Sequence, residues 1–156
     1  MNESKKISFD EVEFKCINLP QRSDRREWVE THLKSFNIPF DFFNARTSTQ
    51  NYDNLKFLQG IKSGNIGCAL SHYELIKNHT GNKILGIFED DVLLCEDFLE
   101  RFTYIENNFN LDWDIFFLSS FYHLNTDNNK WHKFGDFEFT DTKYIHSCLL
   151  YTSPSP

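Results

Sequence analysis

An α/β sandwich built on a largely parallel central sheet is the fold this sequence predicts. Short runs of β-branched and aromatic residues alternate with segments of helical period. Two of those runs, 84 to 88 (ILGIF) and 113 to 118 (WDIFFL), are apolar almost throughout, as strands covered on both faces are. A chain of 156 residues with 40% hydrophobic and 17% aromatic content can bury one sizeable core, so a single domain is expected.

Taken in order, residues 1 to 12 read as a polar N-terminal segment, and 13 to 19 (EFKCINL) as a strand that stops at Pro20. An amphipathic helix follows over 24 to 36: Val29, Leu33 and Phe36 recur at helical spacing, and Asp24 with Glu27 makes a capping-box-like start. Asn37 and Pro39 end it, and 40 to 44 (FDFFN) is the second strand. Residues 46 to 64 are polar and Gly-punctuated, predicting a loop with a helical turn near Leu55 to Leu58. The next helix is expected from Asn65 to His79, with Ile66, Ala69 or Leu70, Tyr73 and Ile76 on one face, broken by Thr80-Gly81-Asn82. After the strand at 84 to 88 come a helix over 96 to 107 and the strand at 113 to 118. Two aromatic-rich arms within 121 to 139 predict a hairpin turning at Asn125 to Asn129. From Ser147 the chain becomes a short apolar patch followed by Thr-Ser-Pro-Ser-Pro, the composition of a disordered or non-native tail. The string CLLYTSPSP resembles translated adapter DNA more than the end of a fold, so the natural chain is expected to continue past His146.

Composition also limits function. A net charge of -7 argues against broad nucleic-acid binding, which needs a basic surface to displace counterions. No signal peptide opens the chain and no run approaches the ~20 apolar residues of a spanning helix, which predicts a soluble, cytoplasmic protein and leaves room for peripheral membrane contact. Cys16, Cys68, Cys95 and Cys148 form no C-x-x-C pair, which disfavours a zinc cage and predicts reduced, mostly buried thiols.

The triplet Glu89-Asp90-Asp91 closes the strand at 84 to 88, where open α/β sheets bind their ligands. Along an extended chain Glu89 and Asp91 share a face and can converge on one Mg²⁺ or Mn²⁺ in a D-x-D arrangement, while Asp90 points the other way. A solvated acidic turn capping the next helix is the alternative. Arg22, Arg25 and Arg26 stand at the start of the first helix, where backbone N–H groups already favour an anion; a solvent-exposed basic turn is equally open. Gly64 to His72 (GNIGCALSH) opens a helix with small residues that let backbone or ligand approach, and Ser71 and His72 offer hydrogen bonds to a sugar or phosphate, or simply pack and cap that helix. Asp112 and Asp114 flank Trp113 at a strand entry, where turn and edge roles are the leading alternative and Asp114 is a weak candidate for a base. Trp131 and His132 suit sugar stacking or ordinary hairpin contacts. A Mg²⁺-dependent phosphoryl-transfer domain would want a phosphate loop, which is absent from the sequence.

In order, KCINLPQRSDRR, Phe43-Asn44-Ala45, GNIGCALSHYELIK, ILGIFEDDVLL with Asp97-Phe98, and DWDIFFLSS resemble glycosyltransferase family 25, which includes lipooligosaccharide and procollagen galactosyltransferases. The resemblance spans Lys15 to about Leu118. It implies a GT-A-like Rossmann-type sandwich over residues 13 to 146, incomplete at its C-terminal end, where Ser147-Cys148 departs from the family's H-A-Y segment. It implies a hexose, galactose or glucose, transferred with inversion from a nucleoside-diphosphate sugar such as UDP-galactose to a glycan or glycolipid acceptor such as lipooligosaccharide, with Mn²⁺ or Mg²⁺ as cofactor. A non-catalytic nucleotide-sugar- or glycan-binding fragment is the alternative. Carried onto this chain, the donor is bordered by Asn18, Leu19, Arg22, Arg26, Ala45, Gly67, Ser71, His72 and Asp90, and the metal by Glu89 and Asp91.

Overall fold

The computed structural model describes residues 8–47, 63–108, 115–116, 131–134, 137–140 and 150–152. After a single 3-10 turn at Phe9–Glu11, strand β1 (Val12–Asn18) leads into helix α1 (Ser23–Ser35) and strand β2 (Phe40–Asn44). Helix α2 (Ser63–Asn78) and strand β3 (Ile84–Glu89) follow, then helix α3 (Phe98–Asn108). Short strands β4 (Ile115–Phe116), β5 (Trp131–Phe134), β6 (Phe137–Thr140) and β7 (Leu150–Thr152) complete the described elements.

The centre is a three-stranded, all-parallel sheet, β2-β1-β3, alternating with helices. Beyond β3 lie β7 and then β4, with β7 antiparallel to both. β7 falls within the stretch expected as a tail. β5 and β6 form a separate antiparallel pair in which Phe134 opposes Phe137. The second arm of the expected hairpin pairs within itself, whereas its first arm and the turn expected at Asn125 to Asn129 lie outside the described residues. The loop at 48 to 62, including Leu55 to Leu58, lies outside the described residues.

The connection from β1 to β2 runs one way along the sheet and that from β2 to β3 runs back past β1. Right-handed crossovers then place α1 and α2 on opposite faces. Burial agrees. Val29 and Leu33 of α1 join Val12, Phe14, Cys16, Ile84, Phe88 and the α3 residues Phe98 and Phe102 in one cluster. Leu75 of α2 meets Ile17, Leu85 and Ile87 on the other face. β3 is buried along its apolar run because both faces are covered. Gly86 is required there: a Cβ would lie 2.5 Å from Phe14 Cδ1.

Both ends of α1 depart from, or refine, what the sequence suggests. Arg22 is the N-cap and makes no side-chain cap bond. The Asp24–Glu27 box does not form, because the helix begins ahead of Asp24 and Arg22 takes that carboxylate at 2.9 and 2.7 Å. At the C-terminus Asn37 adopts φ 55, and Ile38 N–H donates to Leu33 O at 3.2 Å while Asn37 N–H donates to Lys34 O at 3.0 Å. This is the Schellman arrangement, and the buried Leu33 and Ile38 supply its apolar contact.

α2 is rotated relative to the face its apolar spacing predicts. Gly67, Leu70, Ser71 and Leu75 are buried, whereas Tyr73 and Ile76 are exposed. A close approach decides the rotation. Ser71 Oγ donates to Gly67 O at 2.7 Å and accepts the Arg46 N–H at 2.8 Å, and a Cβ on Gly67 would stand 2.5 Å from Arg46 O.

Candidate functional site

Parallel strands deliver their carboxyl ends to one edge of the sheet, and the crevice opens where neighbouring strands send their connections in opposite directions. Here that place lies between β1 and β3. A cavity of about 310 Å³ occupies it, lined by Leu19, Arg22 and Arg25 on one side and by Ala45, Gly67 and Cys68 on the other, with Ser71, Glu89 and Asp90 also in its wall.

Strand alternation sorts the polar residues between the two layers. On β3, Ile84, Gly86 and Phe88 face α1, so Glu89 faces α2. His72 Nε2 stands 3.1 Å from Glu89 Oε1, and Cys68 Sγ donates to the same oxygen at 3.2 Å. A carboxylate only accepts, so the His72 hydrogen belongs on Nε2. Asp90 turns to the α1 side, 8% exposed, where Arg25 Nη1 donates to Oδ1 at 2.7 Å and Asn18 Nδ2 to Oδ2 at 2.8 Å. Asn18 Oδ1 is buried with no partner among the described residues. Asp91 lies further out, its carboxylate 3.5 Å from Arg25 Nη1.

The D-x-D geometry expected for Glu89 and Asp91 assumed an extended chain through both. The strand ends at Glu89, and Val92 N–H donates back to Glu89 O at 3.1 Å, so the chain turns and the two carboxylates meet different partners.

The rim is tied across the sheet. Ala45 N–H donates to Asn18 O at 2.9 Å, and the Arg46 guanidinium makes a two-pronged ion pair with Glu74 of α2. Those bonds hold the Glu74 carboxyl below its usual range. Arg25 and Arg22 are held charged more firmly than usual by their bonds to Asp90 and Asp24. Burial first, and the Glu89 carboxylate second, push the Cys68 thiol up to about 12. Of the three described cysteines Cys16 is buried, Cys95 is exposed in the turn before α3, and Cys68 is exposed as a residue while its sulfur is bonded to Glu89 at the cavity; this corrects the expectation of mostly buried thiols among the described residues, and Cys148 lies outside them.

Of the residues singled out from sequence, Leu19, Arg22, Ala45, Gly67, Ser71, Glu89 and Asp90 meet at this cavity. Asn18 and His72 stand behind its wall, bonded to Asp90 and Glu89. Arg26 stacks over the Phe42 ring at 3.8 Å and is not among the lining residues. Arg25, its neighbour in the basic cluster, takes the place on the cavity. Arg46 and Thr47, which follow Ala45, also line it and carried no sequence signal beyond their position. A second, more open concavity lies across the Arg25–Asp90 pair, bounded by Asp24, Trp28, Asp91 and Leu93. Asp112 and Asp114 lie outside the described residues, as do the side chains of Trp131 and His132.

The sequence profile of glycosyltransferase family 25 (LPS biosynthesis protein) matches residues 13–149, which take in β1 from Glu13 onward, β3 and every residue of the cavity. The chain belongs to glycosyltransferase family 25. Among curated members of this and related description, it is 31% identical over 133 residues to procollagen galactosyltransferase 1-B of Xenopus laevis, covering 72% of this chain and 21% of that protein. It is 32% identical over 105 residues to lipooligosaccharide biosynthesis protein lic2B of Haemophilus influenzae, covering 60% of this chain and 40% of that protein. To the lacto-N-neotetraose biosynthesis glycosyltransferase LgtE of Neisseria gonorrhoeae it is 29% identical over 112 residues, covering 62% and 39%. The family 25 chain thus spans between about a fifth and two fifths of these relatives. A glycosyltransferase brings a sugar donor and an acceptor together. Among the described residues, no helix is long and apolar enough to cross a membrane.

Proposed function

We propose that this chain carries the donor-binding part of a hexosyltransferase of GT-A-like fold, which moves galactose or glucose with inversion from a nucleoside-diphosphate sugar to a glycan or glycolipid such as lipooligosaccharide. The cytoplasm is the proposed setting, with peripheral contact to a membrane that carries the acceptor. The observation that carries this reading is the convergence of Arg22, Arg25, Glu89 and Asp90 on one cavity at the carboxyl ends of β1 and β3.

Arg22 and Arg25 stand at the N-terminus of α1, where guanidinium groups and helix dipole together receive a diphosphate. Asp90 holds Arg25 to the cavity wall, so the cation is positioned before the donor arrives. Ala45 presents little side chain to the cavity, and Gly67 lets the backbone of Arg46 close against α2 at its rim. Mn²⁺ or Mg²⁺ is proposed at Glu89 and Asp91: Glu89 lines the cavity, Asp91 is an exposed carboxylate paired with Arg25, which also lines it, and such cations take one or two protein carboxylates plus phosphate oxygens. Such an ion, when bound, supplies charge neutralisation for the departing diphosphate. A base on the acceptor hydroxyl contributes on the order of 10²- to 10⁴-fold. Asp114 is the sequence candidate for that role.

The test is a melting-temperature panel with UDP-galactose and UDP-glucose, each with Mn²⁺ or EDTA. Saturation at a hundredfold excess over Kd raises the melting temperature by roughly 5–10 °C. The shift is expected to vanish in Asp91→Asn and in EDTA. No shift with any nucleotide sugar overturns the proposal, and binding without transfer to any acceptor assigns the non-catalytic reading instead.

A further inference from the structure

Cys68 and His72 are four residues apart on α2, so they occupy one face of the helix, and that face meets the end of β3 where Glu89 points toward it. The thiol sulfur, the imidazole Nε2 and a Glu89 carboxylate oxygen all lie within 4.8 Å of one another, and they are the group of this kind found among the described residues. Nε2 to Oε1 is 3.1 Å and Sγ to Oε1 is 3.2 Å. In a tetrahedral zinc site, bonds of about 2.0–2.1 Å to nitrogen and oxygen and about 2.3 Å to sulfur give ligand-to-ligand edges of roughly 3.3–3.6 Å. The two edges that meet at Glu89 Oε1 need to lengthen by only a few tenths of an ångström to take such an ion, and the sulfur–nitrogen edge lies within 4.8 Å.

We infer that Cys68, His72 and Glu89 form a binding site for a borderline, sulfur-accepting divalent cation of the zinc class. The donor chemistry selects the cation. One nitrogen, one sulfur and one carboxylate oxygen suit Zn²⁺ or Co²⁺, whereas Mg²⁺ seeks an all-oxygen shell. Three protein ligands leave a fourth position, and because Cys68 and Glu89 both line the cavity, that position faces it. On binding, the Cys68 thiol gives its proton to solvent and its sulfur bonds the metal, while the neutral His72 ring changes tautomer, its hydrogen passing from Nε2 to Nδ1 by way of solvent so that Nε2 offers a lone pair; no redox change is involved. The bond between Glu89 and His72 is replaced by their shared bonds to the ion. Glu89 is then withdrawn from any oxygen-seeking cation at the same strand end, so a zinc-class ion opposes one bound there. The site itself depends only on these three side chains and stands apart from the proposal of sugar transfer.

The experiment titrates the full metal-free chain with Co²⁺ under a non-chelating phosphine reductant and follows absorbance. A single tetrahedral ion with a thiolate-to-cobalt charge-transfer band is expected, bleached by Zn²⁺. Cys68→Ser is expected to abolish that band, His72→Ala to weaken binding at least tenfold, and Cys95→Ser and Asp91→Asn to leave it intact. A band that survives Cys68→Ser, or only weak octahedral absorption at saturating Co²⁺, overturns the inference. A second readout needs no variant: Zn²⁺ protects Cys68 in the unaltered protein from alkylation, mapped by peptide mass, and unprotected Cys68 at saturating Zn²⁺ overturns it equally. Nucleotide-sugar binding is measured separately with Mn²⁺ and without any zinc-class ion, so a failed donor shift with an intact cobalt band rejects the transferase reading alone.

Discussion

Asp90 is the most constrained of the three carboxylates after β3, held by a guanidinium and an amide in a nearly dry position. A hydrogen bond to a charged group contributes about 1.5–3 kcal/mol, so Asn18 is more than a spacer. Asn18→Asp keeps the shape and replaces the donor with a second carboxyl facing the first. Two carboxyls so close share one proton, and the pair's upper pKa in the folded state is raised above its unfolded value. A raised folded pKa contributes stability at low pH that is lost as pH rises through it. The expected outcome is a variant whose melting temperature falls between acid and neutral pH while the parent's does not, read by calorimetry across that range. At this scale the sequence was partly legible. The basic cluster and the acidic triplet announce a polar site, but which arginine enters the cavity depends on a rotation of about 100° per residue along α1. Arg25 and Arg26 differ by that single step, and helix phase is set by Val29 and Leu33 packing on the sheet, not by the arginines.

Helix α2 shows what an element can hide. Its apolar residues at Tyr73 and Ile76 suggest one face, yet the buried stripe is set by Gly67 and Ser71 closing on the backbone of Arg46. Small and polar residues carry little weight in a hydrophobic pattern, so the rotation was not readable, and with it the meeting of Cys68 and His72 with Glu89. Gly67→Ala forces its new methyl against a carbonyl that cannot swing aside. A cost of about 1–3 kcal/mol is expected, with weakened donor binding because Arg46 and Thr47 line the cavity. Chemical denaturation and the nucleotide-sugar shift measure the two effects. Glu74 ties the same helix to the same rim. Its carboxyl sits below its ordinary value of 4.5 because of Arg46, so its stabilisation is complete above that value and disappears as pH falls through the depressed one. The melting-temperature gap between the parent and Glu74→Gln is therefore expected to be constant near neutrality and to close in acid.

At the scale of the molecule, the alternation of strand and helix was visible in the sequence because the apolar run of β3 is unbroken and β1 and β2 are rich in β-branched and aromatic residues. The order β2-β1-β3 was not, since nothing local records that β3 passes β1 to pair on its far side. That central position makes β1 and β3 the support of both layers. Phe14 and Phe88 stack face to face at 5.0 Å between the sheet and α1. Phe88→Ala removes a fully buried ring from that stack and is expected to cost about 3–5 kcal/mol by denaturant unfolding.

One peptide bond separates Glu89, which answers to α2, from Asp90, which answers to α1. His72 and Arg25 thus have adjacent partners in the chain but none in common among the described residues. In a double-mutant cycle on the free protein, alanine at both positions is expected to add within about 0.5 kcal/mol. A donor lying across the cavity touches both layers at once, and in its presence the same cycle is expected to depart from additivity. The end of β3 makes the two halves of the site energetic strangers until a ligand introduces them.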